Sequence, residues 1–217
     1  APGVAATSGS DGGARAAATT PAAPARAGGA APGPEVAGAG HSWRAVWVPA
    51  DHLVTAARRE RVVRDAIELG ATDLLVQVRC RGDALYRTAY APASRALTAR
   101  EGPATISLKE DPLWRMLDLA RARGLRIHAW FNVFVAWSAA GAPPDGHALH
   151  DHPEWAIRLA DGRSTLTLTP SERKAAGLEG AFLSPGSVEV RRHLVELVEE
   201  LARFFPLDGI HFDYVRY

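Results

Sequence analysis

The 217-residue chain has a single cysteine, Cys80, and a single methionine, Met116. One cysteine excludes an intrachain disulfide framework and any cysteine-rich zinc module. No apolar run approaches the ~20 residues a membrane-spanning helix needs. An excess of one charge is missing too: 25 Lys and Arg stand against 24 Asp and Glu, a formal net charge of +1. Without a clustered basic surface, a nucleic-acid partner is not expected. Residues 1–40 lack aromatics altogether and hold 15 Ala, 9 Gly and 5 Pro, with Val4 and Val36 their only branched aliphatics. Such a stretch buries too little apolar surface to offset the entropy of ordering, so 1–40 is expected to be a disordered tether. The chain opens on Ala1 rather than Met, which leads to the expectation of a removed export signal and an exported protein.

From His41 onward the composition becomes that of a folded domain, with 41–217 expected to form it. Strands are expected at Arg44 to Val48 (RAVWV), Asp73 to Arg79 (DLLVQVR), Leu125 to Phe131 (LRIHAWF) and Gly209 to Phe212 (GIHF). Helical spacing through Val62, Val63, Ala66, Ile67 and Leu69 is closed by Gly70 at a C-cap. Asp111-Pro112 reads as an N-cap followed by proline in the first turn, ahead of Leu113, Met116, Leu117 and Ala120, with Gly124 as terminator. Ser187 caps a third helix whose Val190, Leu194, Leu197 and Leu201 form one stripe. The stretch from Asn132 to Gly186 is too long for a plain connection. Apolar strands alternating with helices predict an α/β fold with a parallel sheet. The competing architectures are an open doubly wound sheet and a (β/α)8 barrel. The first strand is followed by Pro49-Ala50-Asp51-His52, so the glycine-rich turn of a dinucleotide-binding fold is absent.

Alternation along the strands supplies the functional signal, because successive side chains point to opposite faces. Gln77 and Arg79 share one parity, as do His128, Trp130 and Asn132, and His211 and Asp213. The opposite parity is apolar. Polar side chains gathered at one end of a buried parallel sheet are the pattern of an active site in either architecture. A lone Gln in a strand is more often a satisfied buried group, whereas a carboxylate such as Asp213 is costly to desolvate without a purpose. His147, His150, Asp151 and His152 fall irregularly in a loop and read as solvated residues rather than metal ligands. Neither a metal nor a cofactor is expected, and Cys80 reads as a packing residue.

Six segments carry a family resemblance: RAVWV at 44–48, QVRCRGDALY at 77–86, HAWFN at 128–132, HPEW at 152–155, LSPGSVEVR at 183–191 and LDGIHFDYVRY at 207–217. Together they resemble the glycosyl hydrolase-like family 10 domain of exported bacterial proteins. The chain departs from the usual family pattern in having Cys80 and Val133 where prolines are common. The resemblance implies a (β/α)8 TIM barrel, of which this chain holds the first four strands, and hydrolysis of a polysaccharide such as bacterial cell-wall glycan. No membrane span is expected, because no apolar run is long enough for one. Hydrolysis needs two carboxyl groups, about 5–5.5 Å apart for direct attack and about 6.5–9.5 Å apart when water must fit between. Asp213 is the expected first member. Its partner is expected on a later strand beyond Tyr217, because Asp83 in the GDALY segment reads as a loop residue. Gln77, Arg79, Asp83, His128, Asn132, His211 and Arg216 are candidates for sugar contacts, and Tyr86 and Trp130 for stacking. The alternative is a carbohydrate-binding or scaffolding domain without chemistry.

Overall fold

A computed structural model describes residues 43–98, 110–139 and 141–216; the expected tether lies outside them. Strand β1 (Ala45–Val48) leads through a 3-10 turn into α1 (Ala56–Glu68), where the Thr55 hydroxyl accepts from the Arg58 amide and Val63 and Ala66 are buried. Gly70 takes a positive φ of 65° and turns the chain into β2 (Asp73–Arg79). A short helix, α2 (Arg95–Thr98), precedes α3 (Pro112–Arg121). Asp111 caps α3 as expected, one oxygen accepting from the Leu113 and Trp114 amides. Its other oxygen accepts from the Arg87 amide at 2.6 Å, so the same carboxylate ties down the long loop after β2.

Strand β3 (Arg126–Asn132) starts and ends one residue later than the sequence suggests. An insertion then holds β4 (Val135–Trp137), α4 (Ala148–Asp151), α5 (Pro170–Ala175) and β5 (Ala181–Phe182), with β4 and β5 paired antiparallel. The Ser187 hydroxyl caps α6 (Val188–Phe204), which buries the expected stripe of Val190, Leu194, Leu197 and Leu201. Strand β6 (Gly209–Asp213) closes the series and includes Asp213 itself.

The main sheet runs β1-β2-β3-β6, every pair parallel. Three helices lie between successive parallel strands, so each crossover is a β-α-β unit of a TIM barrel. Leu74, Val76 and Val78 of β2 and Ile127, Ala129 and Phe131 of β3 are almost completely buried in one core with α1, α3 and α6. The other face of the sheet carries the polar and aromatic residues. All four strands end on one side, at Val48, Arg79, Asn132 and Asp213, which is where a barrel places its chemistry.

Candidate active site

Register fixes which residues meet on the concave face. One row is Trp47, Leu75, His128 and Gly209; the next toward the carboxyl ends is Gln77, Trp130 and His211; the last pairs Asn132 with Asp213. The rings of Trp47 and His211 approach to 6.1 Å although their strands lie at opposite edges of the sheet, and Trp130 lies 6.5 Å from His211. In a flat sheet three strand spacings would separate the edge backbones by about 14 Å. The sheet is therefore curled, and its hollow is lined by two indoles with an imidazole between them.

Asp213 stands at the rim of this hollow, half-buried. Its Oδ2 accepts from the Trp130 indole Nε1 at 3.0 Å, and its Oδ1 from the Tyr214 amide at 2.7 Å. Both bonds reach a carboxylate and are of the stronger, charge-assisted kind. Tyr214 is the single non-glycine residue with positive φ (51°) among the described residues. That conformation costs an ordinary residue roughly 1–2 kcal/mol, and such outliers gather at functional sites. The surroundings hold it: Phe182 packs 6.5 Å from the Tyr214 ring and the Arg216 guanidinium lies 5.0 Å above it. Arg216 is gripped by both oxygens of Glu179 at 2.9 and 3.0 Å.

Asn132 is buried beside Asp213; its Nδ2 donates to the Cys80 carbonyl at 3.0 Å, while its Oδ1 has no partner among the described residues. The Val133 amide donates to the Asp213 carbonyl at 2.8 Å, joining the two strand ends. Gln77 is on the same face but occupied, its Oε1 accepting from the Ala50 amide at 3.2 Å.

Several expected site residues lie elsewhere. A bulge between Gln77 and Arg79 places Arg79 opposite Phe131, off the face that simple alternation assigns to it. Arg79 is buried under the loops and donates to the carbonyls of Asn132 and Val133, bracing the end of β3. Burial pulls its guanidinium down to about 10. Tyr86 is 1% exposed and meets Phe205 edge-on at 5.5 Å in the helix-side core, so it offers no ring to a sugar. His128 points the same way as Trp130 but near the amino end of β3, 2.7 Å from Asp73. Burial alone would raise the Asp73 carboxyl; hydrogen bonds from Arg126, Thr72, His128 and Trp43 outweigh it and hold the group at about 2. That cluster braces the far end of the sheet. Asp83 is buried in its loop, its Oδ1 accepting from the Arg81 amide at 3.0 Å. Arg216 touches the site through Tyr214.

The structure thus brings Trp130, Asn132, His211 and Asp213 together, with Gln77 alongside. It adds Trp47, which alternation within RAVWV could have flagged, and Tyr214 and Glu179, for which the sequence carried no local signal. His147 is consumed in structure: its Nδ1 accepts from the Leu149 amide while Nε2 bonds the carbonyls of Arg81 and Ala136. Burial lowers its pKa. Among the described residues no cluster of three or more His, Cys, Asp or Glu is arranged to hold a metal ion.

Comparison with known proteins gives this geometry a context. The sequence profile described as glycosyl hydrolase-like 10 matches residues 42–217. The chain is 26% identical over 156 residues to glycosyl hydrolase YngK of Bacillus subtilis, covering 70% of this chain and 26% of that protein. It is 28% identical over 145 residues to glycosyl hydrolase DigH of Escherichia coli, covering 67% of this chain and 31% of that protein. The chain therefore matches about a quarter to a third of the length of these curated relatives. Among solved structures, α-L-fucosidase isoenzyme 2 from Paenibacillus thiaminolyticus superposes with a TM-score of 0.55 at 15% identity, over 81% of this chain and 24% of that one. At that identity the likeness shows the fold alone.

Proposed function

Because the chain belongs to the glycosyl hydrolase-like 10 family, we propose that it supplies the first four strands and one catalytic carboxylate of a glycoside hydrolase acting on a polysaccharide. The observation that carries this reading is the placement of Asp213. It ends the fourth parallel strand, fixed by an indole N–H and by the amide of a residue in a left-handed conformation, beside a hollow lined by Trp47, Trp130 and His211. Held from both oxygens, the carboxylate keeps one orientation toward a sugar in the hollow, which is what a nucleophile or a proton-transfer group requires. His211, its ring near both indoles, lies in the row of Gln77 and Trp130, one row before Asp213, and is suited to receive a sugar hydroxyl.

Among the described residues, the strands of the main sheet carry only two carboxylates, Asp73 and Asp213, and Asp73 stands at the opposite end. The second carboxyl group is accordingly assigned to a further strand of the complete barrel. The greater length of the curated relatives supports that assignment. Bacterial cell-wall glycan is the proposed substrate, and export, supported by the Ala/Pro/Gly composition of residues 1–40, belongs to the same proposal.

The test uses the longest chain its reading frame encodes, incubated with purified wall glycan and with aryl glycosides. New reducing ends should form, and Asp213→Asn should stop their release while leaving glycan binding in place. Binding by both proteins with no new reducing ends from either would refute the enzyme and favour a binding domain.

A further inference from the structure

One charged side chain in the insertion has no structural account. Arg173, on α5, is 7% exposed, yet its Nε has no partner among the described residues. Its Nη1 donates a single long bond, 3.3 Å to the Trp137 carbonyl. A guanidinium carries five donors and a permanent charge, and burying it without a carboxylate is costly. The nearby carboxylates are committed elsewhere: Glu172 to Arg163 and the Thr169 amide, Glu179 to Arg216.

Arg173 lines two open cavities. The larger, about 500 Å³, is bounded by Pro143, Leu149, Leu166 and Leu168 among others. The smaller, about 320 Å³, is bounded by Ser138, Lys174, Leu178 and Glu179. Lys174 is exposed. The smaller cavity is tied to the carboxyl end of the sheet from two sides. Ser138 Oγ accepts from Arg81 Nε, in the loop after β2, at 2.7 Å. Glu179 holds Arg216, which follows Asp213 closely in sequence and stacks on Tyr214.

We propose that the smaller cavity is an outer subsite for a carboxylate carried by the glycan, received by Arg173 with Lys174 adding attraction. The inference rests on the glycosidase reading and narrows its substrate to an acidic polysaccharide. A guanidinium in a cavity wall favours a carboxylate, which it can meet through paired N–H groups, over a neutral hydroxyl.

The experiment titrates the full-length protein, inactivated by Asp213→Asn, with a uronic-acid oligosaccharide and with the same oligosaccharide after reduction of its carboxyl groups to alcohols. The acidic form should bind about tenfold tighter or more at low salt, and the difference should shrink as salt rises. Arg173→Gln should erase the preference while leaving the affinity for the reduced form nearly unchanged. Lys174→Gln, at an exposed position, should weaken only the acidic form and reduce its salt dependence; it carries the test if Arg173→Gln does not fold. Equal affinity for the two forms, binding of neither, or a preference that survives both substitutions overturns the subsite. An intact preference in a wild-type protein that hydrolyses neither form would instead overturn the glycosidase reading.

Discussion

Asp213 divides its two oxygens between a side chain from the neighbouring strand and the backbone of its own successor. The indole contact can be removed with little change of shape. Trp130→Phe keeps a ring in the hollow and deletes the Nε1 donor, and a hydrogen bond to a charged group is worth roughly 1.5–3 kcal/mol. Steady-state kinetics should show kcat falling by about 10- to 100-fold with KM little changed. A change confined to KM would assign Trp130 to binding alone. A second residue-scale prediction concerns acid. Burial, with further contributions from Arg79, His152 and His147, lowers the half-buried His193 to about 4. An unfolded histidine titrates near 6.5, so between these values the unfolded chain binds the extra proton. Stability is then full above about pH 6.5 and declines as pH falls toward 4. Thermal melts across that range should show a falling Tm, with a shallower slope in His193→Gln; an unchanged slope would contradict the assignment. Single residues were the least legible scale. Asp213, Trp130 and His211 followed from alternation, but Tyr86 sits in a motif whose sequence does not reveal that its ring turns into the core. Arg79 was displaced by a bulge, which leaves no mark on hydrophobic periodicity.

Elements were the most legible scale, because helix spacing and caps act locally. The stripe of Val190, Leu194, Leu197 and Leu201 and the caps at Asp111 and Ser187 are found where the sequence suggests. On α6, Leu197 is fully buried whereas Val195 is half exposed. Leu197→Ala should cost about 2–5 kcal/mol and Val195→Ala no more than about 0.5 kcal/mol in denaturant unfolding. Similar losses from both would show that this face of α6 is not the packed one. The insertion between β3 and α6 was legible only as a region too long for a loop. Its short elements are held by long-range bonds, such as the Ser184 amide to the Trp155 carbonyl, that no local pattern encodes.

At the scale of the molecule, the curled parallel sheet explains why chemistry gathers where it does: helices cover one face, and the strand ends bring Asp213, Asn132 and Trp130 to a common rim. Within the described residues the sheet has two unpaired edges, at β1 and β6, and Phe212 and Trp47 are each about half exposed. Open edges beside apolar surface promote strand pairing between copies. Prepared as residues 41–217 alone, the chain should therefore associate as its concentration rises, as light scattering would show; a strictly monomeric, soluble species would contradict this. The order of the strands followed from the family resemblance, whereas the curl that unites Trp47 with His211 belongs to tertiary structure alone. The central claim is that Asp213, and not the loop residue Asp83, is a carboxylate of the reaction. It is tested most directly by measuring kcat on one glycan for the full-length protein, for Asp213→Asn and for Asp83→Asn. The account predicts a loss of about a thousandfold or more for Asp213→Asn with its fold intact, and no comparable loss for Asp83→Asn. Turnover that survives Asp213→Asn and disappears with Asp83→Asn would contradict it.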